Sequence, residues 1–125
     1  MATHADVRRI ALSLPGTVES EADFSFAVVV KGKPMRFVWL WRERVHPKKP
    51  KVRNPKVLAV RTGSLDDKEF LLRADPKIFF TESHYDGYPA VLVRLPEVRV
   101  PRLREILTEA WRVHAPADST PKRRR

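Results

Sequence analysis

Apolar residues recur first with the period of a helix. Between residues 3 and 14 they have the i, i+3, i+4, i+7 spacing that gives a helix one buried face. These residues are Val7, Ile10, Ala11 and Leu14. Thr3 precedes Asp6 by three residues, as in a capping box, and Pro15-Gly16 interrupts the pattern. A helix over residues 3–14 is therefore predicted.

Residues 24–30 and 35–41, FSFAVVV and MRFVWLW, alternate with the period of a strand. The intervening residues 31–34, KGKP, have the composition of a turn, so a β-hairpin is predicted. One side of its second strand would be strongly aromatic. That side would carry Met35, Phe37, Trp39 and Trp41. Such rings can stack single-stranded bases, but alternating aromatic residues more often face a core, and core packing is favoured here.

The segment 42–56, RERVHPKKPKVRNPK, breaks the strand pattern. Its prolines, Pro47, Pro50 and Pro55, each lack the N–H that a sheet ladder needs and push the preceding residue towards extended geometry. A long, exposed, basic loop is therefore predicted over 42–56. The following residues 57–62, VLAVRT, return to the sheet.

A second helix is predicted from Ser64 to Asp75-Pro76, and irregular structure over 77–89. The residues expected to supply its apolar contacts are Leu65, Phe70, Leu71 and Ala74. Residues 90–95 read as a strand bounded by prolines, and a last amphipathic helix follows between Pro101 and Pro116.

The predicted order is α-β-β-β-α-β-α. Short connections between the early strands favour an antiparallel sheet, and amphipathic helices need a sheet face to cover. The predicted fold class is therefore α+β, a two-layer sandwich formed by a single domain over residues 1–116. Residues 117–125 are expected to be a disordered basic tail, since they contain no apolar residue beyond Ala117.

The formal net charge of the 125-residue chain is +10, and two segments account for all of it. Residues 42–61 hold eight basic residues against one acidic residue, and residues 117–125 hold four against one, giving +7 and +3. A neutral body with two basic segments fits a polyanion partner, although charged loops can also serve solubility alone. The predicted nucleic-acid-binding residues are Arg42, Arg44, Lys48, Lys49, Lys51, Arg53, Lys56, Lys122, Arg123, Arg124 and Arg125.

Several classes of protein are excluded or disfavoured. The absence of cysteine excludes disulfides, thiolate zinc sites and a cysteine nucleophile. Neither a signal-peptide core nor an apolar run of about 18 residues is present. We therefore expect a soluble cytoplasmic protein with no membrane partner and no cofactor, as a monomer or weak homodimer.

Residues 84–88, HYDGY, contain side chains typical of an active site. The candidate residues are His84, Tyr85, Asp86 and Tyr88. His84 could act as a base oriented by Asp86, and Glu82 could join them at a metal. A structural interpretation requires fewer assumptions, because Asp86-Gly87 favours a tight turn and tyrosines can pack against a sheet. No enzyme motif accompanies these residues, so a non-enzymatic protein is expected.

Four stretches resemble the MmcQ/YjbR family of small bacterial proteins. They are VRRIALSLPGTVES, FAVVVKGKPMRFVWL, ADPKIFFTESHYDGYPAVLVRL and LREILTEAWRVHAP. The likeness extends over residues 5–116, and SLPG and HYDGYPAV are its most specific parts. It implies a CyaY-like α+β fold and DNA binding through β-hairpin wings like those of double-wing DNA-binding domains. It supplies no catalytic residue, and the loop 46–56 is longer and more basic than the family's usual turn.

We therefore expect a non-enzymatic DNA-binding protein, with DNA favoured over RNA. It would contact the phosphate backbone with weak sequence specificity, because no arginine here has a context that identifies base reading. The alternative is a protein- or small-ligand-binding module that uses a cleft around His84, Tyr85, Asp86 and Tyr88.

Overall fold

The computed structural model describes residues 2–43 and 52–115. Within these ranges three helices form, α1 (His4–Ser13), α2 (Leu65–Ala74) and α3 (Val100–Arg112). The Thr3 hydroxyl accepts a hydrogen bond from the Asp6 backbone N–H, and the Asp6 carboxylate accepts one from the Thr3 N–H, as in the predicted capping box. Among the described helices, none is both long and apolar enough to cross a membrane.

A six-stranded antiparallel sheet completes the fold. Its strands are β1 (Thr17–Glu19), β2 (Ser25–Val30), β3 (Lys33–Glu43), β4 (Val52–Arg61), β5 (Phe79–Phe80) and β6 (Ala90–Arg94). They pair in the order β1-β2-β3-β4-β6-β5. The predicted α+β class is confirmed. The short strands β1 and β5 were not predicted, because two or three residues are too few to show a strand period.

The prediction of a loop over 42–56 was wrong at both of its ends. Arg42 and Glu43 belong to β3, and β4 begins at Val52, which pairs with Glu43. Pro55 lies between two paired positions of β4, Arg53 and Leu58, where the register of the ladder shifts. An irregular stretch of ladder is where a strand tolerates proline. Residues 44–51 and the predicted tail 117–125 lie outside the described residues.

A bulge in β3 changes the predicted aromatic face. Phe26 pairs with Val38 but Ala27 pairs with Arg36, so one β3 residue, Phe37, has no partner on β2. The extra residue reverses the alternation of side chains beyond it. Phe37 therefore packs in the main core, whereas Trp39 belongs to a separate cluster, and the prediction that they share one face was wrong.

The helices cover one face of the sheet, which we call the inner face. Buried residues of α1 and α3 pack there with alternate residues of β2, β4 and β6 and with Phe37, Val38 and Leu40 of β3. The indole Nε1 of Trp111 donates a hydrogen bond to the Pro15 carbonyl at 2.8 Å, which ties α3 to the chain after α1. In α2 the predicted apolar contacts were partly wrong, because Leu65 and Phe70 are exposed and Lys68 is buried.

Candidate functional site

The opposite face of the sheet, which we call the outer face, has its own small core. This core contains no residue of the three α-helices. Its buried members are Trp39, Val57, Ala59, Ala90 and Leu92, and the partly buried rings of Trp41, Phe80 and Tyr85 pack against them. Buried aliphatic residues on β4 and β6 thus form a floor over which large aromatic rings lie.

Three arginines lie over aromatic rings of this region. The guanidinium carbon of Arg36 is 4.3 Å from the Trp39 ring centroid. That of Arg94 is 4.2 Å from Phe80, and that of Arg61 is 5.4 Å from Tyr88. Cation–π contacts of this kind contribute about 0.5–1 kcal/mol at exposed sites. They also hold each guanidinium in a fixed place beside an aromatic surface.

Sequence reasoning gave no role to Arg36 or Arg94 and counted Arg61 only in the charge of residues 42–61. The sequence contains one local indication of their position. Arg36 and Arg94 each share the outer face of a strand with apolar residues of the small core. Basic residues on an alternating strand face are usually assigned to solvent. The rings that partner Arg61 and Arg94 come from residues far away in the chain, which no local pattern identifies.

Tyr85 closes one side of the outer face. Its hydroxyl oxygen accepts a hydrogen bond from the Trp39 indole N–H at 3.3 Å, and its ring meets that of Tyr88 edge to face at 5.8 Å. Burial raises the pKa of Tyr85 above its ordinary value. The predicted packing of the two tyrosines against the sheet therefore holds for Tyr85, whereas Tyr88 is 40% exposed.

Lys68 fixes the loop that carries these tyrosines. Only 5% of this α2 residue is exposed, and its ammonium group donates to the Tyr85 carbonyl and, at 3.0 Å, to the Tyr88 carbonyl. Burial lowers the pKa of Lys68, and the nearby Asp86 carboxylate opposes that shift. Sequence reasoning missed this anchor, although Lys68 precedes the partly buried Leu71 and Leu72 by three and four residues.

The turn between the tyrosines has the predicted geometry. Asp86 has φ −63° and ψ 130°, Gly87 has φ 74°, and the Tyr88 N–H donates to the Tyr85 carbonyl at 3.0 Å. These values define a type II turn, whose third residue needs the positive φ that glycine adopts freely. The predicted tight turn at Asp86-Gly87 is confirmed.

The polar residues of this loop do not converge on one point. His84 keeps 60% of its side chain exposed, and its Nδ1 lies 3.3 Å from Oε1 of Glu82. Burial raises the pKa of Glu82, but hydrogen bonds from the His84 backbone, the His84 ring and Trp41 outweigh it, so the net pKa is lowered. Asp86 instead lies near Lys68. Within residues 2–43 and 52–115, no three His, Asp or Glu side chains cluster as metal ligands.

Only part of the predicted basic set falls within the described residues. The backbones of Arg42 and Arg53 pair across β3 and β4, at the end of the outer face beyond Trp41, and Lys56 is exposed. The residues outside the described ranges are Arg44, Lys48, Lys49, Lys51, Lys122, Arg123, Arg124 and Arg125. Strands β3 and β4 are joined in sequence by residues 44–51, which contain Arg44, Lys48, Lys49 and Lys51.

Known proteins were compared with this chain by sequence and by fold. No protein-family model matches it. An uncharacterized protein of Mycobacterium tuberculosis strain H37Rv and one of Mycobacterium bovis are each 38% identical over 120 residues, covering 93% of this chain and 91% of the relative. A crystal structure of a Deinococcus radiodurans protein with a DUF419 domain has a TM-score of 0.64 at 21% identity, covering 89% of this chain and 77% of the other. DUF419 is the YjbR/MmcQ-like family, and this likeness shows a shared fold.

Proposed function

The chain belongs to the same family as these uncharacterized mycobacterial proteins, and we propose that it is a non-enzymatic DNA-binding protein. The observation that carries the proposal is the set of three arginines that lie over aromatic rings at the outer face. Strands β3 and β4 carry part of this face, and the residues that join them belong to the segment 42–61, which holds +7 of the net charge. A positive surface with aromatic rings suits a polyanion that also carries flat bases.

Binding would be mainly electrostatic. Guanidinium groups at the outer face and the basic residues of the hairpin and tail would neutralise backbone phosphates and release counterions. Contacts of that kind hold the protein on the nucleic acid but carry little sequence information, so specificity would be weak. We favour DNA over RNA, a cytoplasmic location and no cofactor. We also favour no catalytic step, since Asp86 lies near Lys68 and does not join the Glu82–His84 pair.

We also propose that the chain is an MmcQ/YjbR-type protein in particular. Support comes from the SLPG and HYDGYPAV stretches and from the shared fold with a DUF419 protein. In that family the β-hairpins are compared with the wings of double-wing DNA-binding domains. The β3–β4 hairpin is the candidate wing here.

Fluorescence anisotropy with labelled duplex and single-stranded DNA over a range of salt concentrations tests the proposal. If about five phosphates are contacted, the logarithm of the duplex association constant should fall with the logarithm of salt at a slope of about −4.5. The triple variant Arg36→Gln, Arg61→Gln, Arg94→Gln should weaken binding and flatten that slope. The matched control, Arg9→Gln, Arg73→Gln, Arg104→Gln, removes the same charge from the helices and should bind nearly as the unaltered chain does. Absence of binding at low salt would refute the proposal.

A second candidate function is a protein- or small-ligand-binding module centred on His84, Tyr85, Asp86 and Tyr88. The exposure of His84 and Tyr88 favours it. This alternative expects His84→Ala and Tyr88→Ala to abolish capture of a partner with little change in the melting temperature. Tyr85→Ala does not test it cleanly, because Tyr85 is part of the outer-face core.

A further inference from the structure

We propose that the outer face binds unpaired DNA bases by stacking, so that its preferred ligand is single-stranded DNA. This inference rests on the proposed DNA-binding function and names the form of DNA that the same surface would take. Its evidence is a cavity beside one arginine–ring pair and a second such pair across the sheet.

The cavity lies at the β1–β2–β3 end of the outer face. It has a volume of about 390 Å³, and its lining includes Asp23, Ser25, Ala27, Pro34 and Arg36. The Asp23 carboxylate accepts a hydrogen bond from the Ser25 hydroxyl at 2.7 Å. That volume is within the range of small-ligand clefts, about 300–1,000 Å³. The side chains of Ser25 and Ala27 are short, so the floor is low enough to admit a flat ring.

Arg36 forms the wall of this cavity next to Trp39. Its guanidinium lies over the Trp39 ring, and the residue is exposed to solvent. A base that enters the cavity can therefore stack on the guanidinium plane, with Trp39 behind it. Guanidinium N–H groups at the edge of that plane remain suited to a phosphate of the same strand.

A second stacking platform lies across the sheet. The Arg94 guanidinium covers Phe80, and Trp41 meets Phe80 edge to face with 5.8 Å between the ring centroids. Trp41 lies on β3, two residues beyond Trp39, and Phe80 lies on β5, which β4 and β6 separate from β3. The second platform therefore reaches from β3 towards the far edge of the sheet. A single strand that crosses the sheet would meet both platforms.

Duplex DNA cannot use these platforms in the same way. Its bases are stacked on one another, and exposing one costs a few kcal/mol of unstacking and unpairing. The phosphates of a duplex can still contact the arginines and the basic hairpin. Stacking therefore adds affinity for single strands alone, on top of an electrostatic contribution common to both forms.

The decisive comparison uses the unaltered protein and three labelled ligands of equal length: single-stranded DNA, the duplex, and a single strand made of abasic nucleotides. The abasic strand carries the same phosphates without bases. We expect the single strand to bind about fivefold or more tighter than the abasic strand, and tighter than the duplex at matched salt.

Arg36→Lys is the matched variant, since it retains the positive charge and removes the planar guanidinium. It should weaken binding of the base-containing strand severalfold. The affinity for the abasic strand and the slope of the salt dependence should stay unchanged. Arg104→Lys on α3 is the control and should alter neither. Equal affinity for the base-containing and abasic strands, or tighter binding of the duplex, would overturn the stacking inference and leave DNA binding intact. No binding to any of the three ligands at low salt would overturn both.

Discussion

Lys68 stabilises the loop that contains Tyr85 and Tyr88, a role that is unusual for a lysine in an amphipathic helix. Its ammonium group is buried and donates to the carbonyls of Tyr85 and Tyr88, which fixes the loop that borders the outer face. Each carbonyl also accepts a backbone hydrogen bond, Tyr85 from the Tyr88 N–H and Tyr88 from the Ala90 N–H. What Lys68 adds is a pair of charge-assisted hydrogen bonds, offset by the cost of burying its ammonium group. The stability of this loop therefore depends on one side chain from a different element.

Lys68→Met should lower the free energy of unfolding by about 1–3 kcal/mol. Methionine has a similar length but cannot donate to either carbonyl. Urea denaturation gives the free energy, and hydrogen exchange at the Tyr88 and Ala90 amides reports opening of the loop. Lys77→Met, at an exposed position, is the control. Unchanged stability and exchange in Lys68→Met would contradict the anchoring role.

Glu82 makes the molecule sensitive to acid at the same loop. Its folded-state pKa lies below the ordinary value of 4.5, so the folded state favours the carboxylate. The resulting stability is present above pH 4.5 and is lost as the pH falls through the lower folded-state pKa. Once Glu82 is protonated, it is a weaker acceptor for the hydrogen bonds from the His84 backbone, the His84 ring and Trp41.

Glu82→Gln should therefore destabilise the protein at neutral pH and have a smaller effect below about pH 4. Urea unfolding at several pH values, monitored by tryptophan fluorescence, measures this difference directly. Glu97→Gln, at an exposed position, is the comparison. The role of the carboxylate would be disproved if Glu82→Gln lowered the free energy of unfolding by the same amount at every pH from 7 to about 3.

The turn at Asp86-Gly87 was predictable, and Lys68 was not. A turn depends on two or three neighbouring residues, so Asp-Gly indicates it without knowledge of the rest of the fold. The acceptors of Lys68 lie 17 and 20 residues away in the chain. A basic residue in an amphipathic helix is assigned to solvent unless its distant acceptors are known.

At the scale of elements, the β2–β3 hairpin contains an unfavourable backbone position. Lys31 and Gly32 link the strands, and both have positive φ, 52° and 80°, as in a type I′ turn. Glycine adopts positive φ readily, whereas lysine does not. Asparagine is the residue that this turn prefers before glycine.

Lys31→Asn should therefore raise the free energy of unfolding by about 0.5–1 kcal/mol. Thermal and urea denaturation against the unaltered chain measure the gain. Lys33→Asn, which falls on the first residue of β3, should give no gain. A loss of stability in Lys31→Asn would mean that the turn does not require an αL-tolerant residue at this position.

Strands were predicted less well than helices, and β3 and β4 show why. The apolar residues of α1 and α3 recur over several helical turns, so one irregular residue does not obscure the helical period. In β3 the single unpaired residue Phe37 reversed the alternation and moved Trp39 to the opposite face. In β4, Pro55 suggested a loop although the strand continues through it.

At the scale of the whole molecule, the sequence predicted the sandwich but not the position of the candidate site. Amphipathic helices require a sheet face, so the inner face followed from the pattern. The outer face combines residues of β3, β4, β5 and β6 with a loop between the last two strands. Which residues meet there depends on the order of the strands in the sheet, and that order cannot be inferred from hydrophobic periodicity.

The basic tail should contribute to binding without contributing to stability. Residues 117–125 contain no apolar residue beyond Ala117, so a chain that ends at residue 116 should melt at nearly the same temperature as the full chain. Removing Lys122, Arg123, Arg124 and Arg125 should weaken DNA binding and reduce the magnitude of the salt slope by up to about 3.6 for duplex DNA. A slope identical to that of the full chain would show that the tail makes no phosphate contact.

Combining this deletion with the triple arginine variant tests whether the tail and the outer face contact the same DNA independently. Independent contacts have additive effects on the binding free energy, within about 0.5 kcal/mol. Anisotropy titrations of the two single changes and their combination supply the comparison at one salt concentration. A combined loss much smaller than the sum would mean that the tail binds DNA only when the outer face holds it, because the outer face then sets the tail's local DNA concentration.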